Sequence, residues 1–376
     1  MVVIGGGLTG ASCALAFAAA GIDVVLLEAE SIGGGLTAGD AGLLREGFAG
    51  SFRDAAAAHG VRTARGAWDA MRRGSLDFAA ALRRYGIKCD LAPQDVITFA
   101  PPDPEAGRLL RREYQARRDA GVEGSWLTRA AVARESALDS TGGIRTRCAA
   151  IDPYRGCAGL LAAAVASGAR VHERSLVRRV RPSKRHVEVA TEAGSVRAEA
   201  VVVATGAPMQ DLRALRRHLR AEHAYGVVTE GLPAAIRRQV GLRRAILEDA
   251  REPGRIVRWL PGDRILVHGA RQPEVPARLR ERSVTQRTGQ LMYELSLLYP
   301  AISGLQPESS WDGIDYQTVD GLPFLGPHRN FPRHLFAFGS SRHGAGLSWV
   351  AARLALRHFQ GEPARGDEAL GFARIL

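Results

Sequence analysis

Hydrophobic residues come in short runs at the start of the chain, and glycines follow the first of these runs. Met1–Ile4 are apolar and lead into the letters GGGLTG, after which the alanine-rich stretch Ala11–Ala20 continues to a second apolar run, Val24–Leu27. A short apolar run bounded by glycine is typical of a buried strand, whereas the longer alanine-rich stretch is typical of a helix. The pattern predicts a strand, a tight turn, a helix and a second strand.

The glycines of this turn have the spacing of a dinucleotide-binding motif. Gly5 permits the tight turn, Gly7 lets the main chain approach a pyrophosphate, and Gly10 lets the helix lie close to the strand. The start of the helix supplies N–H groups and the positive end of the helix dipole to phosphates. Glu28 ends the second strand, where its carboxylate can accept hydrogen bonds from a ribose 2′-hydroxyl and would repel a 2′-phosphate. We therefore expect an adenine dinucleotide without that phosphate.

Further helices and strands are predicted along the rest of the chain. A second glycine-rich loop runs from Ser31 to Leu44, and glycines at this density indicate main chain packed against something large and flat. The later patterns predict helices over 51–85, 105–120, 128–136, Gly159–Ser167, Val284–Tyr299 and Trp349–Phe359, and strands at Val96–Phe99, 168–173, 186–194, 196–207, 255–260 and 264–269. Nucleotide-domain signatures occur at the start, in the middle and at the end, so we expect the chain to cross between two domains more than once.

Length and composition are those of an ordinary globular protein. The chain has 376 residues, of which 46% are hydrophobic and 24% charged, which suffices for two domains with buried cores. The apolar first twenty residues lack a basic segment and are interrupted by the glycine turn, so we interpret them as part of the fold rather than a signal peptide. No apolar stretch is long enough to span a bilayer, and we expect a cytoplasmic protein. The four cysteines form no CxxC pair, and no metal site is predicted.

The positive charge of the chain raises the question of nucleic-acid binding. The formal net charge is +12, but Lys88 and Lys184 are the only lysines, and the arginines are spread over the whole length. A dispersed charge of this kind does not form the basic stripe expected of a nucleic-acid interface. The charge pattern therefore does not favour a nucleic-acid partner.

Taken together, these segments resemble the D-amino-acid oxidase-like family of flavoproteins, which includes glycine oxidase and the sarcosine oxidases. The resemblance covers essentially the whole chain. It rests on GGGLTG with Glu28, on GLTAGDAG, which is similar to the family pattern G-x-S/T-G-x-N-x-G, and on VVVATGA, TVDGLPFLG and FGSSRHGAG in this order. In that family the dinucleotide is FAD, and its flavin ring lies at the junction of two domains. The resemblance thus implies FAD as the cofactor.

The resemblance also assigns cofactor contacts along the chain. It places four residues at the ADP half, others along the pyrophosphate and flavin, one main-chain contact at adenine, a return turn, and a group beside the pyrimidine side of the flavin. For Thr37 and Val177, simple packing is an equally good interpretation. In chain order the implied FAD-binding residues are Gly5, Gly7, Gly10, Glu28, Thr37, Gly39, Ala41, Gly42, Val177, Thr205, Gly206, Gly339, His343, Gly344 and Gly346.

Two departures from the family change the expected chemistry. Sarcosine oxidases attach the flavin through a cysteine, and Gly313 stands at the corresponding position, so we expect FAD to be bound non-covalently. Those enzymes also use a lysine near the flavin to promote the reaction with oxygen, on a strand similar to Arg264–Gly269, and neither lysine of this chain lies near it. His268 is the titratable candidate there, as a catalytic residue or as a histidine that only satisfies a strand-end hydrogen bond.

A substrate that carries a carboxylate needs a cation in the site, because burying an unpaired charge is costly. Arg342, in the segment GSSRHG, is similar in position to the carboxylate-binding arginine of glycine oxidase, and arginine binds carboxylates with two parallel hydrogen bonds. We predict that Arg342 is a catalytic and substrate-binding residue. Arg45 and Arg258 are weaker substrate-binding candidates, and an arginine at the surface is the alternative for each.

These observations predict an α/β protein with a discontinuous Rossmann-like FAD-binding domain and a second, α+β substrate domain built on an antiparallel or mixed sheet. The FAD-binding domain is assigned to residues 1–80, 146–212 and 318–376, and the substrate-binding domain to 81–145 and 213–317. The predicted reaction is oxidation of a small primary or secondary amine, an amino acid or N-alkyl amino acid, to an imine that hydrolyses.

Two other functions remain open at the level of sequence. One is the FAD-binding subunit of a heteromeric amine dehydrogenase, which a mass measurement would reveal through its partner; a homo-oligomer is the other assembly considered. The second is an enzyme acting on modified RNA, for which a salt-dependent RNA shift would be the test.

Overall fold

The computed structural model describes residues 1–251, 254–339, 343–364 and 366–375. None of the helices in these ranges is both long and apolar enough to cross a membrane. The helices are α1 Leu8–Ala19, α2 Phe52–His59, α3 Val61–Arg84, α4 Pro104–Asp119, α5 Arg129–Ser136, α6 Pro153–Ala166, α7 Ala234–Arg237, α8 Arg280–Leu298 and α9 Gly346–Gln360. Short 3₁₀ segments lie at Gln210–His218, Ala277–Leu279, Pro300–Ile302, Asp367–Leu370 and Phe372–Ile375.

The strands form two large sheets and one small sheet. They are β1 Val2–Ile4, β2 Val25–Leu27, β3 Leu43–Arg45, β4 Ala92–Ala100, β5 Ser125–Leu127, β6 Gly142–Ala150, β7 Arg170–His172, β8 Arg179–Pro182, β9 Val187–Ala190, β10 Ser195–Ala198, β11 Val201–Gly206, β12 Leu219–Thr229, β13 Ala245–Asp249, β14 Ile256–Leu260, β15 Arg264–Pro273, β16 Pro307–Thr318, β17 Phe324–His328 and β18 Phe331–Phe338.

The first sheet carries the glycine turn found at the start of the sequence. In the described residues it has the strand order β17-β18-β11-β1-β2-β7, and its strands are parallel except for the β17–β18 pair. Strand β1 and the first four residues of β11 are apolar and buried, as expected for central strands of a parallel sheet covered on both faces. Helix α1 packs against α6 and α9, and its side chains join one apolar core with Leu160 and Trp349. The small sheet, β8 to β10, is an antiparallel meander.

The second sheet is mixed and builds the other half of the molecule. Its described strands run in the order β16-β12-β15-β14-β13-β4-β6-β3, with β5 paired to β6. Only the β13–β4 pair among these is parallel. Helix α8 covers one face, where Leu291 and Leu295 pack against Tyr225 and Val267. The opposite face, which includes Val228 and Leu266, packs against Ala41 and Leu43 of the second glycine-rich loop.

The predicted fold class is confirmed: the chain combines a largely parallel, Rossmann-like sheet with a second mixed sheet. The assignment of residues to two domains stays a prediction. All strands of the first sheet come from the segments assigned to FAD binding, whereas β3, which also lies in the segment 1–80, pairs with β6 of the second sheet. The loop between β2 and β3 therefore passes from one sheet to the other, which places its glycines between them.

Some element boundaries differ from those predicted. Helix α6 begins at Pro153 rather than Gly159, because the Asp152 side chain caps it by accepting a hydrogen bond from the Arg155 amide. The apolar stretch 196–207 is divided between β10 and β11, which belong to different sheets. Helix α5 begins at Arg129, inside the predicted range 128–136, because the Thr128 side chain caps it by accepting a hydrogen bond from the Ala131 amide.

Candidate active site

The glycine turn after β1 leaves no room for side chains at two of its positions. Gly5 has a φ of +106°, and a Cβ atom there would lie 2.6 Å from the carbonyl oxygen of Ala204. A Cβ atom on Gly10 would clash with the carbonyl oxygen of Gly5. Helix α1 therefore lies directly against the end of β1. Its N-cap residue, Gly7, offers no side chain to the first turn, so an external anion can approach the main-chain amides there.

Glu28 lies beside this turn and is hydrogen-bonded to it. One carboxylate oxygen accepts a hydrogen bond of 2.6 Å from the Gly6 amide, and the other accepts one of 2.9 Å from the Glu30 amide. A carboxylate has about four acceptor positions, so both oxygens keep capacity for ribose hydroxyls. Glu28 is thus held in a fixed orientation at the end of β2.

The second glycine-rich loop is tied to the start of α1 by Thr37. Its hydroxyl oxygen accepts a hydrogen bond of 2.9 Å from the Leu8 amide, and its side chain is buried. On the other side of the loop, the indole nitrogen of Trp311 donates to the Gly39 carbonyl at 3.3 Å. The loop is therefore fixed to α1 on one side and to the second sheet on the other, and Thr37 has a structural contact in addition to its place in the cleft wall.

These residues surround a cleft with a volume of about 310 Å³. Eight of the fifteen residues predicted for FAD binding line it, which shows that segments far apart in the sequence converge here. They are Gly5, Gly7, Glu28, Thr37, Val177, Thr205, Gly206 and Gly344. Five residues that were not predicted also line the cleft: Leu36, Asp40, Leu176, Met209 and Ser348. Of these, Leu36 and Asp40 had a signal in the sequence, because both lie inside the motif GLTAGDAG.

The other predicted FAD-binding residues lie around the cleft rather than in its wall. Gly39 and Ala41 line the neighbouring cavity described below. Gly42 approaches the carbonyl of Ile151, Gly339 approaches Thr318, and Gly346 lies where α9 crosses Ser75 of α3. His343 is buried with its ring edge-on to Phe48, at a centroid distance of 4.8 Å. Gly10 supports the turn as described above. Their FAD contacts stay a prediction.

A small cavity of about 50 Å³ adjoins the cleft, and Leu36, Asp40 and Gly344 line both; we name it the enclosed cavity because it lies between the cleft and the second sheet. Its other wall comes from the second sheet and includes Arg45, His268, Arg271, Asp315 and Gly313. Arg45, Ile256, His268 and Arg271 also line a wider cavity of about 480 Å³ on the far side. The small cavity thus lies between the cofactor cleft and the wider cavity and shares wall residues with both.

A β-bulge brings His268 and Arg271 to the same face of the second sheet. Residues three apart on a regular strand point to opposite faces. Here two residues, Ala270 and Arg271, lie opposite the single residue Ala224, and Ala270 has a φ of +49°. Because of this extra residue, the side chain of Arg271 points to the same face as that of His268 and lines the cavity. Arg271 forms an ion pair with Asp315. Alternation along the sequence gives no signal for this arrangement.

His268 is neutral in this environment at neutral pH. Burial, followed by the positive charge of Arg271, lowers the pKa of His268 to about 4, although Asp315 acts in the opposite direction. The histidine therefore offers a nitrogen lone pair but carries no positive charge into the cavity. Its catalytic role stays a prediction.

Arg45 lies in the cavity wall but already has a carboxylate partner. Its guanidinium donates two hydrogen bonds, of 3.0 and 2.9 Å, to the two oxygens of Glu248, which also accepts one of 3.2 Å from the Thr98 hydroxyl. Burial alone would raise the pKa of Glu248, but the charge and hydrogen bonds of Arg45, with that of Thr98, outweigh it and lower the pKa. A substrate carboxylate would have to share Arg45 with Glu248.

Arg258 lies behind the glycine-rich loop and lines none of these three cavities. One of its terminal nitrogens donates to the carbonyl oxygens of Ala41 and Ile151, at 2.6 and 3.0 Å, and its Nε atom is buried without a partner in the described chain. Burial lowers the pKa of its guanidinium. These contacts hold the loop, and a contact with substrate stays a prediction. Arg342, the principal candidate for substrate binding, lies outside the described residues.

Metal chemistry was not expected from the sequence. Within the described ranges, no group of three or more His, Cys, Asp or Glu side chains is arranged to hold a metal ion. The four cysteines are buried and unpaired.

Comparison with known proteins places this geometry in a family. Gamma-glutamylputrescine oxidoreductase of Escherichia coli (strain K12) is 28% identical over 374 residues, which cover 97% of this chain and 84% of that protein. Glycine oxidase of Geobacillus kaustophilus (strain HTA426) is 27% identical over 362 residues, covering 93% and 89%. The crystal structure of glycine oxidase from Geobacillus kaustophilus superposes with a TM-score of 0.79 at 22% identity, covering 99% of this chain and 98% of that one, which shows a common fold.

The family itself is shown by a match along almost the whole chain. The sequence model described as FAD dependent oxidoreductase (DAO) matches residues 1–357, which include both sheets and every lining residue of the cleft and the enclosed cavity. The resemblance predicted from the glycine motifs is confirmed. This chain is an enzyme of the DAO family of FAD-dependent oxidoreductases.

Proposed function

We propose that this enzyme oxidises a small primary or secondary amine, an amino acid or N-alkyl amino acid, to an imine that then hydrolyses. The enclosed cavity carries this proposal, because it shares wall residues both with the cofactor cleft and with a wider cavity lined by charged side chains. Two curated relatives support it, since their names describe oxidation of glycine and of an amine derived from putrescine.

The residues that line the cleft fit FAD in their chemistry. Glycine at positions 5 and 10 keeps the end of β1 and the start of α1 open to a pyrophosphate. The first-turn amides of α1 other than that of Leu8, which already donates to Thr37, would supply hydrogen-bond donors. Glu28 would bind the ribose hydroxyls, and Val177, which is buried in the cleft wall, would contact the adenine. The loop of Thr37 and Gly39 would lie along the pyrophosphate and the flavin.

We propose that FAD is held without a covalent bond. Gly313, which lines the enclosed cavity, has no side chain to form one. Among the described residues, no cysteine lines the cleft or the enclosed cavity. Acid precipitation of the purified enzyme should therefore release a yellow supernatant, and a flavin that remained with the pellet would show a covalent bond.

Bound FAD supplies the two-electron oxidant, which accepts a hydride from the carbon next to the substrate nitrogen. The protein has to orient that carbon and exclude water from it. The enclosed cavity is small enough to admit only a few atoms, and Leu36, Leu43 and Ile256 make part of its wall apolar. We propose that the reacting carbon enters this cavity and that the remainder of the substrate occupies the wider one.

A substrate carboxylate would have to be paired with a cation, and we propose Arg342 for this role, as its segment suggests. Arg45 and Arg271 face the cavities, but each is already paired with a carboxylate of the protein. Each pair contributes one positive and one negative charge to the cavity walls, so the two pairs together add no net charge. They would orient a zwitterionic substrate through the positions of these charges.

The proposed function can be tested with three matched compounds: an amino acid, the amine that lacks its carboxylate, and the hydroxy acid that lacks its amino group. Each is mixed with the flavin-loaded enzyme without oxygen, and loss of the yellow flavin absorbance is followed. We expect reduction by compounds that carry the amino group and none by the hydroxy acid. Reduction by the hydroxy acid alone would reject amine oxidation. Identification of the released ammonia or alkylamine confirms imine hydrolysis.

A further inference from the structure

We propose that Asp40 accepts a proton from the ammonium group of the substrate, so that the amine meets the cofactor with its lone pair free. The proposal rests on the amine oxidation proposed above. It gives a catalytic role to a residue of the second glycine-rich motif that was not among the predicted site residues. It also means that the substrate is bound from solution in its cationic form.

The position of Asp40 is the first reason. It is one of only a few described residues that line both the cofactor cleft and the enclosed cavity. A group at this junction can contact the atom that is oxidised and the cofactor that oxidises it. Two carboxyl groups line the enclosed cavity among the described residues, and the other one, Asp315, is engaged in an ion pair with Arg271.

The hydrogen bonding of Asp40 is the second reason. Its Oδ1 atom accepts a hydrogen bond of 2.6 Å from the Gly42 amide, which fixes the carboxyl group on the loop. Its Oδ2 atom has no hydrogen-bond or ion-pair partner in the described part of the chain. A carboxylate that is anchored through one oxygen and open through the other is suited to receive a proton from a ligand in the cavity.

The electrostatic surroundings set when Asp40 is charged. Burial raises the pKa of Asp40 to about 6, and the negative charge of Asp315 acts in the same direction. The Gly42 amide and the positive charges of Arg258 and Arg45 act against this rise. At pH 7 to 8 the group is therefore mainly a carboxylate, and its conjugate acid can lose the proton again between turnovers.

The remaining charged groups around the cavity are poorer proton acceptors. His268 and Arg271 face the cavity from β15, and the pKa of His268 is lowered to about 4, so it holds a proton about a hundredfold less strongly than Asp40. Glu248 accepts two hydrogen bonds from Arg45 and one from Thr98, and its pKa is lowered. Asp40 is the strongest base of this set that is still open to a ligand.

The proposed step is a simple proton transfer. An N–H bond of the substrate ammonium breaks, its electron pair stays on nitrogen, and an O–H bond forms on Oδ2 of Asp40. The pair left on nitrogen then forms the C=N bond as the hydride leaves the neighbouring carbon. No oxidant beyond the FAD implied by the family is required.

Asp40→Asn separates this role from a structural one. The amide oxygen of asparagine can still accept the hydrogen bond from Gly42, so the loop should keep its conformation, but the side chain can no longer accept a proton. Asparagine is also the residue of the family pattern at this position of GLTAGDAG. A matched control is Asp152→Asn, which changes an aspartate that caps α6 and lines neither cavity. Both variants should retain FAD.

The pH dependence of kcat/KM is the first measurement. We expect the wild-type value to be constant from about pH 7 upward and to fall below the pKa of about 6 of Asp40. In Asp40→Asn only the free amine can react, so kcat/KM should rise tenfold per pH unit up to the pKa of the substrate itself. For an amine with the ordinary lysine pKa of about 10.4, the variant should lose about a thousandfold at pH 7.4 and recover at high pH.

The second measurement needs no substrate. The absorbance spectrum of bound FAD is followed from pH 5 to 8 in the wild type, in Asp40→Asn and in Asp152→Asn. We expect a transition near pH 6 in the wild type and the control, and none in Asp40→Asn, because the charge in the cleft wall no longer changes.

The two measurements distinguish the ways in which the proposal can fail. A spectral transition that persists in Asp40→Asn would overturn it, because another group would then titrate beside the cofactor. Loss of the transition with an unchanged kcat/KM profile would also overturn it, since Asp40 would titrate without taking the substrate proton. If no amine reduced the enzyme, the proposed function would fail and the proton transfer with it, while the spectral titration would still report the position of Asp40.

Discussion

Glu28 provides the sharpest test of the cofactor cleft, because its carboxylate supports the protein and is proposed to bind the ribose. In Glu28→Ala, the amides of Gly6 and Glu30 lose their acceptor, and FAD loses the hydrogen bonds to the ribose. Hydrogen bonds to a charged group contribute about 1.5–3 kcal/mol. The dissociation constant of FAD should therefore rise by roughly tenfold to 150-fold, since each 1.4 kcal/mol is a factor of ten.

The assay is a titration of the apoprotein with FAD, followed by the change in flavin fluorescence. Glu28→Gln serves as a matched variant, because its amide oxygen can accept one hydrogen bond while the negative charge is lost. We expect its FAD affinity to lie between those of the wild type and Glu28→Ala. The free energy of unfolding, compared between the apoproteins of the wild type and Glu28→Ala, shows how much the lost hydrogen bond from the Gly6 amide destabilises the fold itself. An unchanged FAD affinity in Glu28→Ala would refute the ribose assignment.

Three further predictions concern the substrate side. The reduced enzyme should react slowly with oxygen, because neither His268, which is neutral, nor Arg271, which is paired with Asp315, offers a free positive charge near the cofactor. Stopped-flow mixing of the reduced enzyme with oxygenated buffer measures the rate of reoxidation. A rate as fast as that of a good oxidase would contradict this prediction. Glu248→Gln should lower the free energy of unfolding by about 3 kcal/mol by leaving Arg45 unpaired in a mostly buried site, as measured by urea unfolding. Because the pKa of Glu248 is lowered in the fold, its stabilising contribution should be present above pH 5 and be lost in the wild type as the pH falls through the folded pKa. Arg342→Ala should weaken binding of an amino-acid substrate by about 2–5 kcal/mol, a rise of thirtyfold to several thousandfold in the dissociation constant, and Arg342→Lys should restore part of it. An equal loss for the amine without the carboxylate would show that Arg342 does not bind that group.

The cofactor half could be predicted from the sequence because its signals are local. The turn between β1 and α1, the position of Glu28 after β2 and the glycines of the second loop depend on residues within about 40 positions of one another. Strand, turn and helix periodicities act over such distances, and glycine is required where a Cβ atom would clash. The fold class followed from the same signals, repeated in the middle and at the end of the chain.

The substrate half depended on tertiary structure. Arg45 and Glu248 are 203 residues apart, and nothing in either segment indicates that they form a pair. Arg271 reaches the cavity only because a bulge at Ala270 reverses the alternation of its strand. A cavity is defined by side chains from several strands of a sheet, whereas periodicity reports only which face of a single element is buried. The sequence by itself therefore determined where FAD belongs, and the packing of the second sheet decided which charged groups surround the substrate.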